Sequence, residues 1–496
     1  MNDPRKSDAS VVPTKSTNFA AQATSEWAEG RLATKENTDE QKVRRTQGRE
    51  SIGIALERVR QVAKKEKETK FTALMHHVTT DRLRAAFLAM NKHAAAGIDG
   101  VTWAKYKEDL EGNLQNLLDR VHQGNYRASA SRRVMIPKAD GRQRPLGIAT
   151  LEDKLLQRAV AEVMSAIYEV DFLGFSYGFR PGRSQHHALD ALATGLERKK
   201  VNWVLDADIR GFFDAIDRDW LIKMVEHRIA DKRVVRLLQQ WLHAGVVEAD
   251  QHIESETGTA QGAAISPLLA NVYLHYALDL WAQQWRTRQA RGDMIIVRYA
   301  DDFVVGFENR ADGERFHAEL GARLAEFKLE LHPEKTRLIE FGRFANQRRA
   351  GRGESSAEPF TFLGLTHICG KQRNGGFQLH RHTATKRLRA KLAAVREELR
   401  VRWHESIDVT GLWLKSVLQG YYNYHAVPTN FRALSTFRDQ VTRHWRQALS
   451  RRSQHGAVTW QRMHTLAARW LPAPRILHPW PSRRFDVRIQ GRSPVR

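Results

Sequence analysis

Two short acidic clusters hold the residues best suited to chemistry. The first is Asp208-Ile209-Arg210-Gly211-Phe212-Phe213-Asp214, and the second is Tyr299-Ala300-Asp301-Asp302. Each adjoins an apolar run of strand length. Side chains alternate along a strand, so Asp206 and Asp208 share one face while Leu205, Ala207 and Ile209 take the other. The second cluster lies between apolar runs at 295–298 and 303–307 and reads as a tight β-hairpin turn with Asp301 and Asp302 at its tip. If the two strands are neighbours, Asp208 and Asp301 converge on one point. Converging carboxylates repel unless cations neutralise them. Hard oxygen ligands favour Mg2+, which takes one or two carboxylates together with substrate phosphates. Two such ions ~3.5–4 Å apart clamp an in-line phosphoryl displacement. An Asp-Asp pair alone is ordinary turn chemistry; the second carboxylate-tipped strand is what favours the metal reading.

The elements that position these clusters mix helix and strand. Apolar residues at helical spacing predict helices within 51–70, 80–91, 151–168 and 311–328. Residues 132–149 predict a hairpin around a basic turn containing Asp140-Gly141, and residues 360–369 predict one strand. The stretch GTAQGAAISP is a loop of small residues leading into a helix, with Ser266 as N-cap and Pro267 at the first helical position. Residues 1–50 are polar with few periodic apolar positions, which predicts a largely disordered or loosely helical segment.

The 496 residues carry 80 Lys plus Arg against 56 Asp plus Glu, a net charge of +24. Such a basic chain is expected to meet a polyanion, with nucleic acid the first choice. Residues 381–496 alone hold 23 basic and 6 acidic residues, an excess of 17, and six of the 13 tryptophans. That imbalance is too one-sided for alternating salt bridges and favours a nucleic-acid face over a merely solvated one. A single cysteine, Cys369, excludes an intramolecular disulfide framework and any zinc site built on several cysteines. No apolar run approaches the ~18 residues of a membrane span. A membrane protein and a disulfide-rich secreted protein are both excluded, and a reducing, cytoplasmic compartment is expected, with association to the nucleoid left open.

YADD at 299–302, preceded by DIRGFFD at 208–214, resembles the palm of a reverse transcriptase. Eight further segments resemble the group II intron-encoded reverse transcriptase/maturase family, in that family's order. They are AGIDGVTW, IPKADGRQRPLGI, SYGFRPGRS, GTAQGAAISPLLANVYL, LHPEKTRLIEF, FLGL, GYYNYH and ILHPWP, spanning about residues 70–481. The resemblance implies an α+β right-hand polymerase, with fingers and palm carrying an antiparallel sheet and the YADD hairpin. An all-helical thumb/maturase domain follows. The expected divisions are a polar extension (1–70), fingers (71–200), palm (201–345), connection (346–374), thumb/maturase domain (375–450) and a basic DNA-binding tail (451–496). The single cysteine points to the form without a zinc-binding C-terminal HNH endonuclease.

The resemblance also implies roles. Asp208, Asp301 and Asp302 are the catalytic carboxylates, with Asp208, Ile209 and Asp301 as metal ligands and Asp302 a weaker one. The ions are two Mg2+, with Mn2+ as a substitute. Lys138 and Arg144 flank the basic hairpin and suit the triphosphate, Lys as a point charge and Arg as a bidentate fork; a solvated hairpin tip is the plain alternative. Phe213 is expected to stack under the sugar and block a ribose 2′-hydroxyl, with Phe212 filling the core. Gln261 is expected near the nascent base pair, and Lys335 near pyrophosphate. Arg180 and Arg183, with Tyr177 and Phe179, suit single-stranded template, against loop packing. Tyr421, Tyr422 and Tyr424 suit stacking on structured RNA, with helix packing an equal contender. The implied partners are host intron RNA, RNA template, DNA primer, deoxynucleoside triphosphates and target DNA; the oligomeric state is left open. Two rival readings are a reverse transcriptase of retron or diversity-generating type, and an RNA-binding maturase that no longer polymerises.

Overall fold

The computed structural model describes residues 55–137, 143–248, 251–253, 258, 262–452 and 458–488. Its strands are β1 (Ser131–Pro137), β2 (Gln143–Ile148), β3 (Trp203–Asp208), β4 (Val246–Glu248), β5 (Gln251–Ile253), β6 (Met294–Tyr299), β7 (Asp302–Phe307), β8 (Arg337–Glu340), β9 (Phe360–Phe362), β10 (Leu365–Lys371) and β11 (Phe377–Thr383). They form three sheets, ordered β6-β7-β3-β8, β2-β1-β4-β5 and β11-β10-β9. All neighbours are antiparallel except β1 and β4.

The β6-β7-β3-β8 sheet carries the acidic clusters. Its two middle strands are rich in Val, Leu and Phe, as a buried strand requires. In β3, Val204, Leu205 and Ala207 are buried while Asp206 and Asp208 remain partly accessible. The helices Gln185–Arg198 and Arg310–Glu326 pack on this sheet. The free edge of β6 is covered by residues 175–177: Arg298 N–H donates to Phe175 O (2.9 Å) and Tyr177 N–H donates to Arg298 O (2.8 Å).

One apolar core runs from the helical residues 55–65, through Val59 and Ala63, to the three-stranded sheet. The end of the expected polar extension is therefore part of the folded core, because its helix has an apolar face to bury. A second core joins Val395, Leu414, Leu418, Tyr422, Phe437, Trp445, Met463 and Ala467 from the helices Thr385–Val401, Ile407–His425, Phe431–Ser450 and Trp460–Trp470. The helical unit thus begins at Thr385, not at 375, because β11 completes a hairpin with β10. It also extends past 450 to take in the helix Trp460–Trp470.

Two local expectations shift. The strand expected over 360–369 is two strands, β9 and β10, joined by Leu363-Gly364, both with positive φ (+48° and +77°). Ser266 is the first residue of its helix, one position beyond the expected cap; Ile265 precedes it, with no side-chain cap bond. Among the described residues, no helix is long and apolar enough to cross a membrane.

Candidate active site

The register of the central strands brings the two acidic clusters together. Asp208 at the end of β3 lies directly opposite Asp302 at the start of β7, and Asp302 also pairs with Tyr299 at the end of β6. That leaves Ala300 and Asp301 as a two-residue turn. Ala300 adopts φ +57°, the left-handed region an alanine normally avoids. Asp206 joins from the same face of β3, 3.9 Å from Arg337.

The electrostatics follow from this crowding. Burial, then repulsion from Asp206, Asp301 and Asp208, pushes the Asp302 carboxyl well above the usual carboxylate range, opposed by a hydrogen bond from the Leu363 backbone N–H. Burial pushes Asp206 up to about 6, with Arg337 opposing and Asp208 adding. The ammonium of Lys335 sits on Asp208 Oδ2, a protein cation on the expected metal ligand. At Ile209, Arg210 N–H donates to Glu330 O and His332 N–H donates to Asp208 O. Ile209 and Leu331 between them form a non-hydrogen-bonded bridge pair, which leaves the Ile209 carbonyl out of this ladder.

This donor set fits a hard divalent cation: carboxylates that repel each other, a backbone carbonyl outside the ladder, and a lysine already attracted to the spot. Among the described residues, no group of three or more His, Cys, Asp or Glu side chains forms a ready cage.

A buried polar network holds the turn from beneath. The Arg298 side chain is fully buried at the end of β6. It pairs with both oxygens of Asp279 (2.7 and 2.6 Å) and donates to Asn271 Oδ1 (3.1 Å), Ser176 Oγ (2.7 Å) and Ala300 O (2.9 Å). Asn271 in turn donates to Gly178 O at 2.7 Å. Asp279 closes a π-helical turn, His275–Asp279, where Leu280 N–H reaches back to His275 O. The sequence analysis singled out none of Arg298, Asp279, Asn271 or Ser176. The available signal was a lone arginine in an apolar strand.

Gly178 packs against the same turn: a Cβ there would lie 2.3 Å from Ala300 N and 2.9 Å from Tyr299 C. Gly178→Ala is expected to cost about 1–3 kcal/mol of stability, because neither backbone yields without moving Asp301. Thermal unfolding of the purified variant checks this; an unchanged midpoint would contradict the contact.

Around the carboxylates, Phe212 is buried and Phe213 half-buried, with ring centroids 5.4 Å apart. Gly258 lies over the Phe213 backbone, 3.0 Å from Phe213 O to a built Cβ, and Gly262 (φ +108°) lies equally close to β2, 2.7 Å from Gly147 O. Gly258 thus lies against Phe213, and Gly262 against β2. Lys138 and Gln261 lie outside the described residues, as does the Arg144 side chain; the Arg144 backbone pairs with Ile136.

The expected template arginines face inward. Arg180 is buried and spent on Glu169 (3.1 Å), Leu173 O (2.7 Å) and Ser176 O (2.8 Å). Arg183 is buried against Gly174 O and, at 3.2 Å, Ser176 O. Both guanidinium groups are buried, Arg180 against Glu169 and both against backbone carbonyls of residues 173–176, which is the loop-packing alternative for these residues. Phe179 is the exposed aromatic of that loop, with its ring 6.3 Å from that of Tyr299. The tyrosines of GYYNYH also turn inward. Tyr421 stacks on Phe437 at 3.8 Å, Tyr422 O–H donates to Pro472 O (3.3 Å), and Tyr424 O–H donates to Leu363 O (2.6 Å). Packing within the helical unit buries the first two rings.

Converging carboxylates on a hairpin tip, beside an antiparallel partner strand, are the arrangement that nucleotidyl transfer requires. Residues 136–367 match the family model described as Reverse transcriptase (RNA-dependent DNA polymerase). Protein YkfC of Escherichia coli K12 is 35% identical over 274 residues, 49% of this chain and 71% of that protein. The group II intron-encoded protein LtrA of Lactococcus lactis subsp. cremoris is 34% identical over 235 residues, covering 47% of this chain and 39% of LtrA. An uncharacterized 91 kDa protein in the cob intron of Schizosaccharomyces pombe is 38% identical over 172 residues, 34% of this chain and 21% of that protein. The chain thus spans less than half the length of the last two. It belongs to the reverse transcriptase (RNA-dependent DNA polymerase) family, in its group II intron-encoded reverse transcriptase/maturase branch. Its enzyme class is RNA-directed DNA polymerase.

Proposed function

We propose that this chain extends a DNA primer along an RNA template with deoxynucleoside triphosphates, using two Mg2+ ions held by Asp208, the Ile209 carbonyl and Asp301. Mn2+ serves as a substitute ion. It also binds the group II intron RNA that hosts it, assisting splicing and movement into target DNA. The observation that carries the polymerase reading is the strand register that sets Asp208 opposite Asp302, with Asp301 next to it in the turn. In this reading the first core comprises fingers and palm, and the helical unit is the thumb/maturase domain. The relation to the group II intron-encoded protein LtrA supports the intron RNA as partner, and the excess of 17 positive charges after residue 380 supports a nucleic-acid face.

The bound ions would activate the primer 3′-hydroxyl and stabilise the charge on the phosphates. The protein's own groups orient the reactants. The Asp302 carboxyl stands behind the two ligands, where bound cations would favour its charged form. Lys335 holds a positive charge beside Asp208, where the triphosphate would lie. Phe213, kept half-buried by Phe212 and by the loop at Gly258, presents an aromatic face to the sugar.

Primer extension on an RNA template with Mg2+ tests the reading: wild-type chain should give full-length DNA products. RNA binding without any extension would leave only the maturase half. Phe213→Val should admit ribonucleotides about tenfold more readily, with deoxynucleotide use kept in part. Incorporation of both nucleotide types by variant and wild type measures this; unchanged discrimination would assign Phe213 to the core beside Phe212.

A further inference from the structure

We propose that the cleft between the helix Gln185–Arg198, the β10-β11 hairpin and the helix Pro481–Arg488 holds one unpaired guanine of a single-stranded RNA, stacked on Trp480 and hydrogen-bonded to Glu197. The inference rests on the RNA-binding reading and adds to it a site that reads a base and shares no residue with the catalytic turn.

The cleft measures about 560 Å³, and Glu197, Arg373, Gln378 and Trp480 are among the side chains that line it. Trp480 is 42% exposed, and its ring meets no other ring or cation among the described residues. The side chains of Arg373 and Gln378 make no hydrogen bond or ion pair among the described residues. Glu197 Oε1 accepts the Leu379 N–H at 3.0 Å, and no described donor meets Oε2. The cleft thus offers a flat π-face for a base, an acceptor for its edge and a cation for its phosphate. A carboxylate only accepts hydrogen bonds. Guanine is the base whose Watson–Crick edge presents two adjacent donors, N1–H and the N2 amino group. Burial disfavours the charged form of Glu197, opposed by the Leu379 N–H, Arg381 and Arg198, so a ligand that brings N–H donors is favoured. A cationic peptide would suit the same indole and carboxylate, but Arg373 and the excess of 17 positive charges after residue 380 repel it.

The three walls are pinned to one another. Asp190, buried on the helix Gln185–Arg198, pairs with Arg381 of β11 through Oδ1 (3.1 Å) and with Arg484 through Oδ2 (3.0 Å). The bond from Leu379 to Glu197 ties the same helix to β11 a second time. Arg484 also donates to His478 Nδ1 at 2.8 Å, and His478 Nε2 meets Asn423 O at 2.8 Å. Trp480 lies between these two anchors, at 478 and 484, so its exposed ring is carried on a fixed stretch of backbone. A base entering the cleft meets walls already in place, which lowers the ordering cost of binding.

Fluorescence anisotropy of the full chain with labelled, uridine-rich RNA oligomers tests this. The oligomers carry a single central guanine or a single central adenine and are compared at one salt concentration, because backbone binding varies with salt. The guanine oligomer should bind about tenfold more tightly than the adenine oligomer, the order that hydrogen bonds to a charged group supply. Trp480→Ala should weaken the guanine oligomer about tenfold, the order that one base stacked on an aromatic ring contributes. Trp480→Phe, which keeps a ring, should recover part of that loss. Glu197→Gln retains an acceptor for the Leu379 N–H but puts a donor where the second oxygen stood, and should bring the two oligomers within twofold of each other. Equal binding of both oligomers by the wild-type chain overturns the proposal, as does a guanine preference that survives both Trp480→Ala and Glu197→Gln. Competition by free 5′-GMP at the same concentration as the guanine oligomer would make a free nucleotide the occupant, and capture of an arginine-rich peptide that is lost in Glu197→Gln would make it a peptide; either overturns the assignment to RNA. A wild-type chain that binds neither oligomer would instead overturn the RNA-binding reading itself.

Discussion

Asp301→Ala, and separately Asp208→Ala, should abolish DNA synthesis on an RNA template, with a loss of roughly a thousandfold or more. Each removes one of two carboxylates proposed to hold the ions, whose charge stabilisation is worth several kcal/mol at about 1.4 kcal/mol per tenfold. The structure separates this loss from unfolding. Asp301 and Asp208 both raise the cost of ionising Asp302, so deleting either relieves repulsion inside the sheet. Asp301→Ala is therefore expected to unfold at or above the wild-type midpoint. Intron RNA binding should survive within about twofold, because the basic helical unit is untouched. Primer extension, thermal unfolding and RNA filter binding on one preparation distinguish the three effects. Wild-type extension by Asp301→Ala would sink the two-ion assignment.

The second large effect is expected from residues with no contact to substrate. The side chains of Arg298 and Asp279 are both fully buried and paired at 2.6 Å. Removing one partner leaves an uncompensated interior charge, which costs about 3–5 kcal/mol. Asp279→Ala should therefore destabilise the chain by that amount, seen as an earlier first transition in urea. Replacing the pair with apolar residues, Asp279→Leu with Arg298→Met, should recover much of the stability, since buried pairs roughly break even against packed hydrocarbon. It should not recover activity. Arg298 also donates to Ala300 O at 2.9 Å and to Ser176 Oγ at 2.7 Å, and methionine replaces neither bond. Stability regained without primer extension is the expected result. Activity regained with stability would show that the network only fills the interior.

The Asp206/Asp208 face and the acidic hairpin tip were legible in the sequence because strand alternation and turn chemistry are local, depending on residues one to four positions apart. The ordered segments from AGIDGVTW to ILHPWP likewise identified the family without any contact information. What the sequence did not determine was which way side chains of ambiguous type point. An arginine or tyrosine in a glycine-rich loop suits exposed nucleic acid and buried hydrogen bonding equally well. Glu169 and the carbonyl of Ser176 took Arg180 inward, and Phe437 took Tyr421. Arg298 closes a run read simply as apolar, yet it is the centre of the turn's support, because Asp279 and Asn271 reach it from a helix with a π-turn. Leu363 sat within what read as one continuous strand. It folds into a left-handed turn, where Tyr424, 61 positions along the chain, donates to its carbonyl. Local periodicity carries no record of partners so far apart; only the packed chain brings them within hydrogen-bonding distance.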